Sequence, residues 1–120
     1  MEKKTILIVE DEIDSYTLLS VFLRKMDYKI AWAKDGESAV KVCKEDKNIV
    51  LVLMDIRLPV MNGYDATRAI KEFRPDLPII VQTAYAIQGD KEKAFEANCD
   101  EYISKPIDSK LLFRLLDKHL

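Results

Sequence analysis

Residues 49–55 read IVLVLMD, six apolar side chains in a row followed by an aspartate. The run is far shorter than the roughly 20 apolar residues of a membrane helix. An unbroken apolar run of strand length, bounded by polar residues, fits a strand covered on both faces. Such a strand belongs in a parallel sheet with helices packed above and below it. Ending it on Asp55 is costly, because a carboxylate at the edge of an apolar layer needs a partner or a task.

Working outward, TILIV (5–9), YKIAW (28–32), IIVQ (79–82) and YIS (102–104) read as four further short strands. YKIAW alternates in polarity, which suits an edge. Between the strands lie helical stripes. Leu18, Leu19, Phe22, Leu23 and Met26 form the first. Ala39, Val40 and Cys43 form the second, and Ala66, Ala69, Ile70 and Phe73 the third. Asp90–Ala97 is a weaker helix with Asp90 as its N-cap, and Leu111, Leu112, Leu115 and Leu116 mark the last. Pro59 and Gly63 read as turn devices between Asp55 and the third helix. Five strands alternating with five helices predict an α/β fold, a doubly wound parallel sheet. Ligands of such sheets bind beyond the carboxyl ends of the strands, so the residues just after each strand decide function.

A chain of 120 residues predicts one domain, spanning 1–120. Hydrophobic residues are 48% and charged residues 33%, a globular balance that excludes a disordered chain. Nineteen basic against 21 acidic side chains give a net charge of −2. No basic excess is available for a polyphosphate backbone, so no direct nucleic-acid partner is expected. The opening MEKKTILIVEDE has its apolar run cut by three acids and is no secretory signal. No membrane association is expected, and a cytoplasmic location is. Cys43 and Cys99 lack CxxC spacing, which argues against zinc and for a reducing compartment. His119 reads as a solvated cation at a helix C-terminus.

Four strand ends carry chemistry. Glu10, Asp11 and Glu12 follow the first strand, Asp55 the third, Thr83 the fourth and Lys105 the fifth. Glu10, Asp11 and Asp55 would crowd together, and like charges that close need neutralising. Lys105 can offset one. The remainder suits a hard divalent cation with oxygen ligands, Mg2+ above all. Glu12 reads as a solvated helix start.

ILIVEDE (6–12), LVLMDIRLPVMNGYD (51–65), VQTAYA (81–86) and DEYISKPI (100–107) together resemble the response-regulator receiver domain of two-component phosphorelay signalling, chemotaxis-regulator-like in form. The resemblance covers essentially the whole chain and implies a flavodoxin-like sheet in the order 2-1-3-4-5 flanked by five helices. It implies that Asp55 is the phosphoacceptor for a histidine kinase or a histidine phosphotransfer protein. Asp11, Asp55 and the backbone carbonyl of Arg57 would hold Mg2+, with Glu10 acting through a water. Lys105 would pair with Asp55, then with the phosphoryl oxygens. Thr83 would bond a phosphoryl oxygen, with Tyr102 as the aromatic switch behind it. The Lys105–Pro106 peptide would be cis, and Arg57 and Tyr85 would tune the phosphoryl lifetime. The surface of the fourth helix, fifth strand and fifth helix would switch, acting on a downstream protein or an attached output domain. The chain would be a stand-alone regulator or a part of a larger regulator or hybrid kinase. It would be no enzyme, but a phosphoacceptor that assists its own phosphorylation and dephosphorylation.

Each alternative is opposed by residues of this chain. A Mg-dependent aspartate-nucleophile phosphatase of the haloacid dehalogenase type needs a second Asp two residues after the nucleophile; here Arg57 stands there. A flavin carrier needs a phosphate loop where this chain has three acids. A receiver-like binding module that takes no phosphate is opposed by the full set of site residues. One further pattern stands apart. At about 100° per residue, the core stripe of the first helix spans about 140° from Leu18 to Leu23, and Ile13, Thr17 and Val21 fall off it. This i, i+4, i+8 row beside the acids is the shape on which a donor helix packs.

Overall fold

The computed structural model describes residues 3–84 and 89–120. Its elements run β1 (Thr5–Val9), α1 (Ile13–Leu23), β2 (Lys29–Ala33), α2 (Gly36–Glu45), β3 (Ile49–Asp55), α3 (Gly63–Phe73), β4 (Ile79–Thr83), α4 (Asp90–Glu96), β5 (Glu101–Ser104) and α5 (Ser109–His119). The strands are all parallel and lie in the order β2-β1-β3-β4-β5. The predicted architecture holds, with YKIAW as part of an edge strand.

β3 sits in the middle, and its period of two divides the core. Val52 and Met54 pack with Ala39, Cys43, Ala66, Ile70 and Ala94 of α2, α3 and α4. Leu51 and Leu53 pack with Leu19, Leu23, Leu112 and Leu116 of α1 and α5. Two apolar layers are the reason the run shows no polar alternation. The far end of the sheet is tied by two cations. Lys71 Nζ donates to Asp100 at 2.7 Å and to the Leu77 carbonyl at 2.7 Å. Arg74 donates to the Ile49 carbonyl at 2.6 Å and to those of Cys43 and Asp46 at the end of α2.

The helix starts follow local chemistry. Asp35, Asn62 and Asp108 cap α2, α3 and α5 through backbone N–H groups at 2.7, 2.9 and 2.9 Å. Asp90 is not the cap of α4. Gly89 is, at φ 97°, where a side chain would be strained. Asp90 instead accepts from Tyr64 Oη at 3.0 Å.

α1 departs from its predicted stripe. The buried arc centres on Leu19 and Leu23, and Ser20 is buried while Leu18 is 45% exposed. Leu18 and Ser20 flank Leu19 by about 100° on either side, and the sheet covers the serine side. Ser20 tolerates burial because its hydroxyl donates to the Thr17 carbonyl at 2.8 Å. Met26 lies beyond the helix and is half-buried. His119 is not fully solvated either; it lies 3.1 Å from Glu101, which Lys118 also reaches. Both cysteines are free and buried. Burial pushes Cys43 up to about 11 and Cys99 up to about 12, so neither is a thiolate at neutral pH.

Candidate functional site

The carboxyl ends of β1, β3, β4 and β5 converge as the sequence predicts. Oxygens of Glu10, Asp11 and Asp55 all lie within 4.8 Å of one another. Glu10 is fully buried and Asp55 nearly so, while Asp11 is exposed and opens the cluster to solvent. Lys105 Nζ stands 2.8 Å from Glu10 and 3.5 Å from Asp55. The resemblance pointed Lys105 at Asp55; the structure gives Glu10 the shorter bond. The backbone holds these groups in place. Lys105 N donates to the Thr83 carbonyl at 2.7 Å, and the Lys105–Pro106 peptide is cis.

Electrostatics follow from burial. Burial pushes Glu10 up from 4.5 to about 7, Asp55 adds to the rise, and Lys105 opposes it. For Lys105 burial works against the charge, but the Glu10 and Asp55 carboxylates outweigh it, so the ammonium holds its proton more firmly than usual. Glu10 Oε1 also accepts from Glu12 N at 3.2 Å.

The loop after Asp55 is tightly built. Arg57 N donates to Asp55 Oδ1 at 3.4 Å, and Gly63 N to the Ile56 carbonyl at 2.8 Å. Gly63 serves close approach more than turning, since a Cβ there would collide with the Asp55 carbonyl oxygen and Ile56 Cα. The left-handed position of this loop is Val60, at φ 68°. A β-branched residue there is strained, which places stored strain five residues from Asp55.

Thr83 is buried at the end of β4, and Arg57 is exposed. Tyr102, half-buried in β5, packs on the layer formed by α2, α3 and α4. Tyr85 lies outside the described residues. The sequence reading missed Trp32. Its Nε1 donates to the Glu10 carbonyl at 2.7 Å, and its ring stacks on Tyr16 of α1 at 3.9 Å. The indole thus fixes the end of β1 from both β2 and α1. A lone tryptophan one residue before the end of the neighbouring strand was the available signal.

The donor set is carboxylate oxygen only, partly open, with one cation already offsetting one charge. It fits Mg2+, which takes few carboxylates and retains waters, better than a metal that prefers sulfur or imidazole. Among the described residues, no helix is long and apolar enough to cross a membrane.

Comparison with known proteins agrees with this geometry. The model of the response regulator receiver domain matches residues 6–117. The chain is 37% identical over 128 residues to hybrid signal transduction histidine kinase I of Dictyostelium discoideum, covering 100% of this chain and 7% of the relative. It is 36% identical over 107 residues to the transcriptional regulatory protein ZraR of Klebsiella oxytoca, covering 89% of this chain and 24% of the relative. The chain therefore spans less than a quarter of either relative. Among solved structures, the receiver domain of the sensor histidine kinase PA1611 from Pseudomonas aeruginosa PAO1 is 37% identical, with a TM-score of 0.89 over 98% of both chains. That structure has a magnesium ion coordinated in its active-site cleft.

Proposed function

The chain belongs to the response regulator receiver domain family, and on that premise we propose that it accepts a phosphoryl group on Asp55 from a phosphohistidine. The donor is a histidine kinase or a histidine phosphotransfer protein. The observation that carries this reading is the convergence of Glu10, Asp11 and Asp55 with Lys105 at one sheet edge. An Asp55 oxygen attacks phosphorus, the phosphorus–nitrogen bond of the donor breaks, and the released imidazole nitrogen keeps the electron pair. A loose transition state of this kind needs positioning and charge neutralisation more than covalent machinery. The Lys105 ammonium and the Thr83 hydroxyl serve the equatorial oxygens. Asp11, Asp55 and the Arg57 carbonyl would hold Mg2+, with Glu10 acting through a water. The bound ion supplies further neutralisation of the phosphoryl charge.

The whole of 1–120 acts as the receiver unit. Transfer back to water is the same chemistry assisted by the same groups, so the chain is a phosphoacceptor and no phosphatase of external esters. Phosphorylation draws Thr83 toward the phosphoryl group, turns Tyr102 inward, and alters the surface of α4, β5 and α5. A downstream protein or an attached output domain reads that surface. The donor helix docks on α1, where Ile13 is 66% and Val21 46% exposed, with Leu18 at 45% beside them. The test is the intact mass of the chain after incubation with Mg2+ and a small phosphodonor. A gain of one phosphoryl group is expected, lost on omission of Mg2+ and in Asp55→Asn. An equal gain in Asp55→Asn would overturn the assignment.

A further inference from the structure

α4 is the most lightly held helix on its side of the sheet. Of its seven residues one, Ala94, is buried, against five of the eleven in α3 beside it. Its two ends are tied to the rest of the molecule by different means. At the C-terminal end Asn98 turns the chain at φ 73°, in the left-handed region that asparagine tolerates. There Cys99 N donates to the Ala94 carbonyl at 3.2 Å and Asp100 N to the Ile79 carbonyl at 2.9 Å. The Asp100 carboxylate accepts from Lys71 Nζ at 2.7 Å and from Ile79 N at 2.8 Å. At the N-terminal end Tyr64 of α3 donates its hydroxyl to Asp90 Oδ1 at 3.0 Å, with the Asp90 carbonyl at 3.3 Å as a second acceptor. Between these ties, on the same stripe of α3, the Thr67 hydroxyl is buried with no partner among the described residues. Burial, and then Asp90, push the Tyr64 hydroxyl above the usual tyrosine range, so it keeps the proton that the bond requires.

We propose that the Tyr64–Asp90 bond is a latch that holds the N-terminal end of α4 against α3 in the unphosphorylated chain, and that phosphorylation of Asp55 releases it, so that α4 swings about its tie at Asp100. The proposal rests on the reading of Asp55 as the phosphoacceptor. Three features couple the bond to that residue. Tyr64 follows Gly63, which lies so close to the Asp55 carbonyl that a Cβ there would collide with it, so a shift at the end of β3 reaches α3 one residue before Tyr64. Tyr102 packs on the same apolar layer as Tyr64, so its inward turn repacks the ring that carries the hydroxyl. Arg57, Tyr64 and Asp90 line one cleft of about 560 Å3, which gives the freed end of α4 space to move. The released arrangement forgoes the bond, and a bond to a carboxylate is among the stronger ones. Little else opposes the swing, because α4 buries so little.

The test pairs amide hydrogen exchange with phosphorylation, both on the whole chain. Tyr64→Phe keeps the ring and removes the hydroxyl. Without Mg2+ or phosphodonor, exchange of the Lys93 amide, which donates to the Gly89 carbonyl, should rise about tenfold, while Cys99 and Asp100 keep the parent's rates. With Mg2+ and a small phosphodonor, the variant should be phosphorylated at least about threefold faster, because the bond no longer weighs against the released arrangement. Asp90→Asn keeps a side-chain oxygen for Tyr64 and should match the parent in both measurements. Asp90→Ala removes that oxygen and should move both in the direction of Tyr64→Phe, which keeps the test valid if Tyr64→Phe misfolds. Unchanged Lys93 exchange in Tyr64→Phe, or an equal rise at Asp100, would overturn the proposal. So would faster exchange with an unchanged rate of phosphorylation, the result expected of a bond that only supports the fold. A parent that takes up no phosphoryl group would remove the reading of Asp55 itself, and this proposal with it.

Discussion

Glu10→Gln separates the proton held in the site from the shape of the site. Glu10 is fully buried, and that burial, reinforced by Asp55, pushes its carboxyl from 4.5 to about 7 in the metal-free fold. Below 4.5 both the folded and unfolded chains hold the proton, so this group adds no pH dependence. Between 4.5 and about 7 the unfolded chain releases it first, so stability falls as pH rises. Above about 7 both are ionised and the loss is complete. At about 1.4 kcal/mol per pH unit the interval is worth about 3 kcal/mol. For a domain of this size that is roughly 10 °C in Tm. Glutamine cannot ionise and keeps one acceptor oxygen where the carboxylate offers Oε1 to Glu12 N and Oε2 to Lys105, so it loses one of these bonds equally at every pH and the comparison rests on the pH dependence alone. In chelator, the Tm of the parent should therefore fall relative to Glu10→Gln by roughly 10 °C between about pH 4.5 and 8. Mg2+ at the upper end should restore part of the loss to the parent. Parallel melting curves for parent and variant across that range would refute the assignment of a buried, proton-holding Glu10.

Other perturbations test separate parts of the structure. Trp32→Phe deletes the 2.7 Å bond to the Glu10 carbonyl; it should cost about 1–2 kcal/mol and weaken Mg2+ binding several-fold by calorimetry, because the β1 end loses its clamp. Lys71→Met leaves Asp100 and the Leu77 carbonyl without their cation, and denaturant unfolding should show a loss of about 2–3 kcal/mol with unchanged phosphorylation below the melting transition. Ile13→Glu or Val21→Glu should slow transfer from the cognate phosphohistidine bundle and leave small-donor phosphorylation intact; equal slowing with both donors would place the damage in the site itself.

The strands were legible because their chemistry is one-dimensional. TILIV coincides with β1, and the apolar run 49–54 gives all of β3 but its last residue, Asp55, since burial on both faces removes every polar interruption. Charge type at the strand ends was equally readable, so Glu10, Asp11, Asp55, Thr83 and Lys105 were found together. What escaped depends on distances between elements. Leu18 and Ser20 are equivalent on a wheel, and only the approach of the sheet decides which is covered. Gly63 resembles a turn glycine until the Asp55 carbonyl is seen beside it. The bonds of Trp32 to Glu10 and of Lys71 to Asp100 join residues 22 and 29 apart in sequence. Gln82 was quoted inside a strand, but its unmatched amide is visible only once both helices are in place.

The central claim is that Asp55 carries the phosphoryl group, and its location can be read directly. After phosphorylation with a small donor and Mg2+, borohydride reduces an aspartyl phosphate to homoserine, and peptide mass mapping then assigns the position. Homoserine at position 55, absent without phosphodonor and absent without Mg2+, is the predicted result. Homoserine at position 11 in place of 55, or a phosphorylated chain that yields no homoserine, would contradict it.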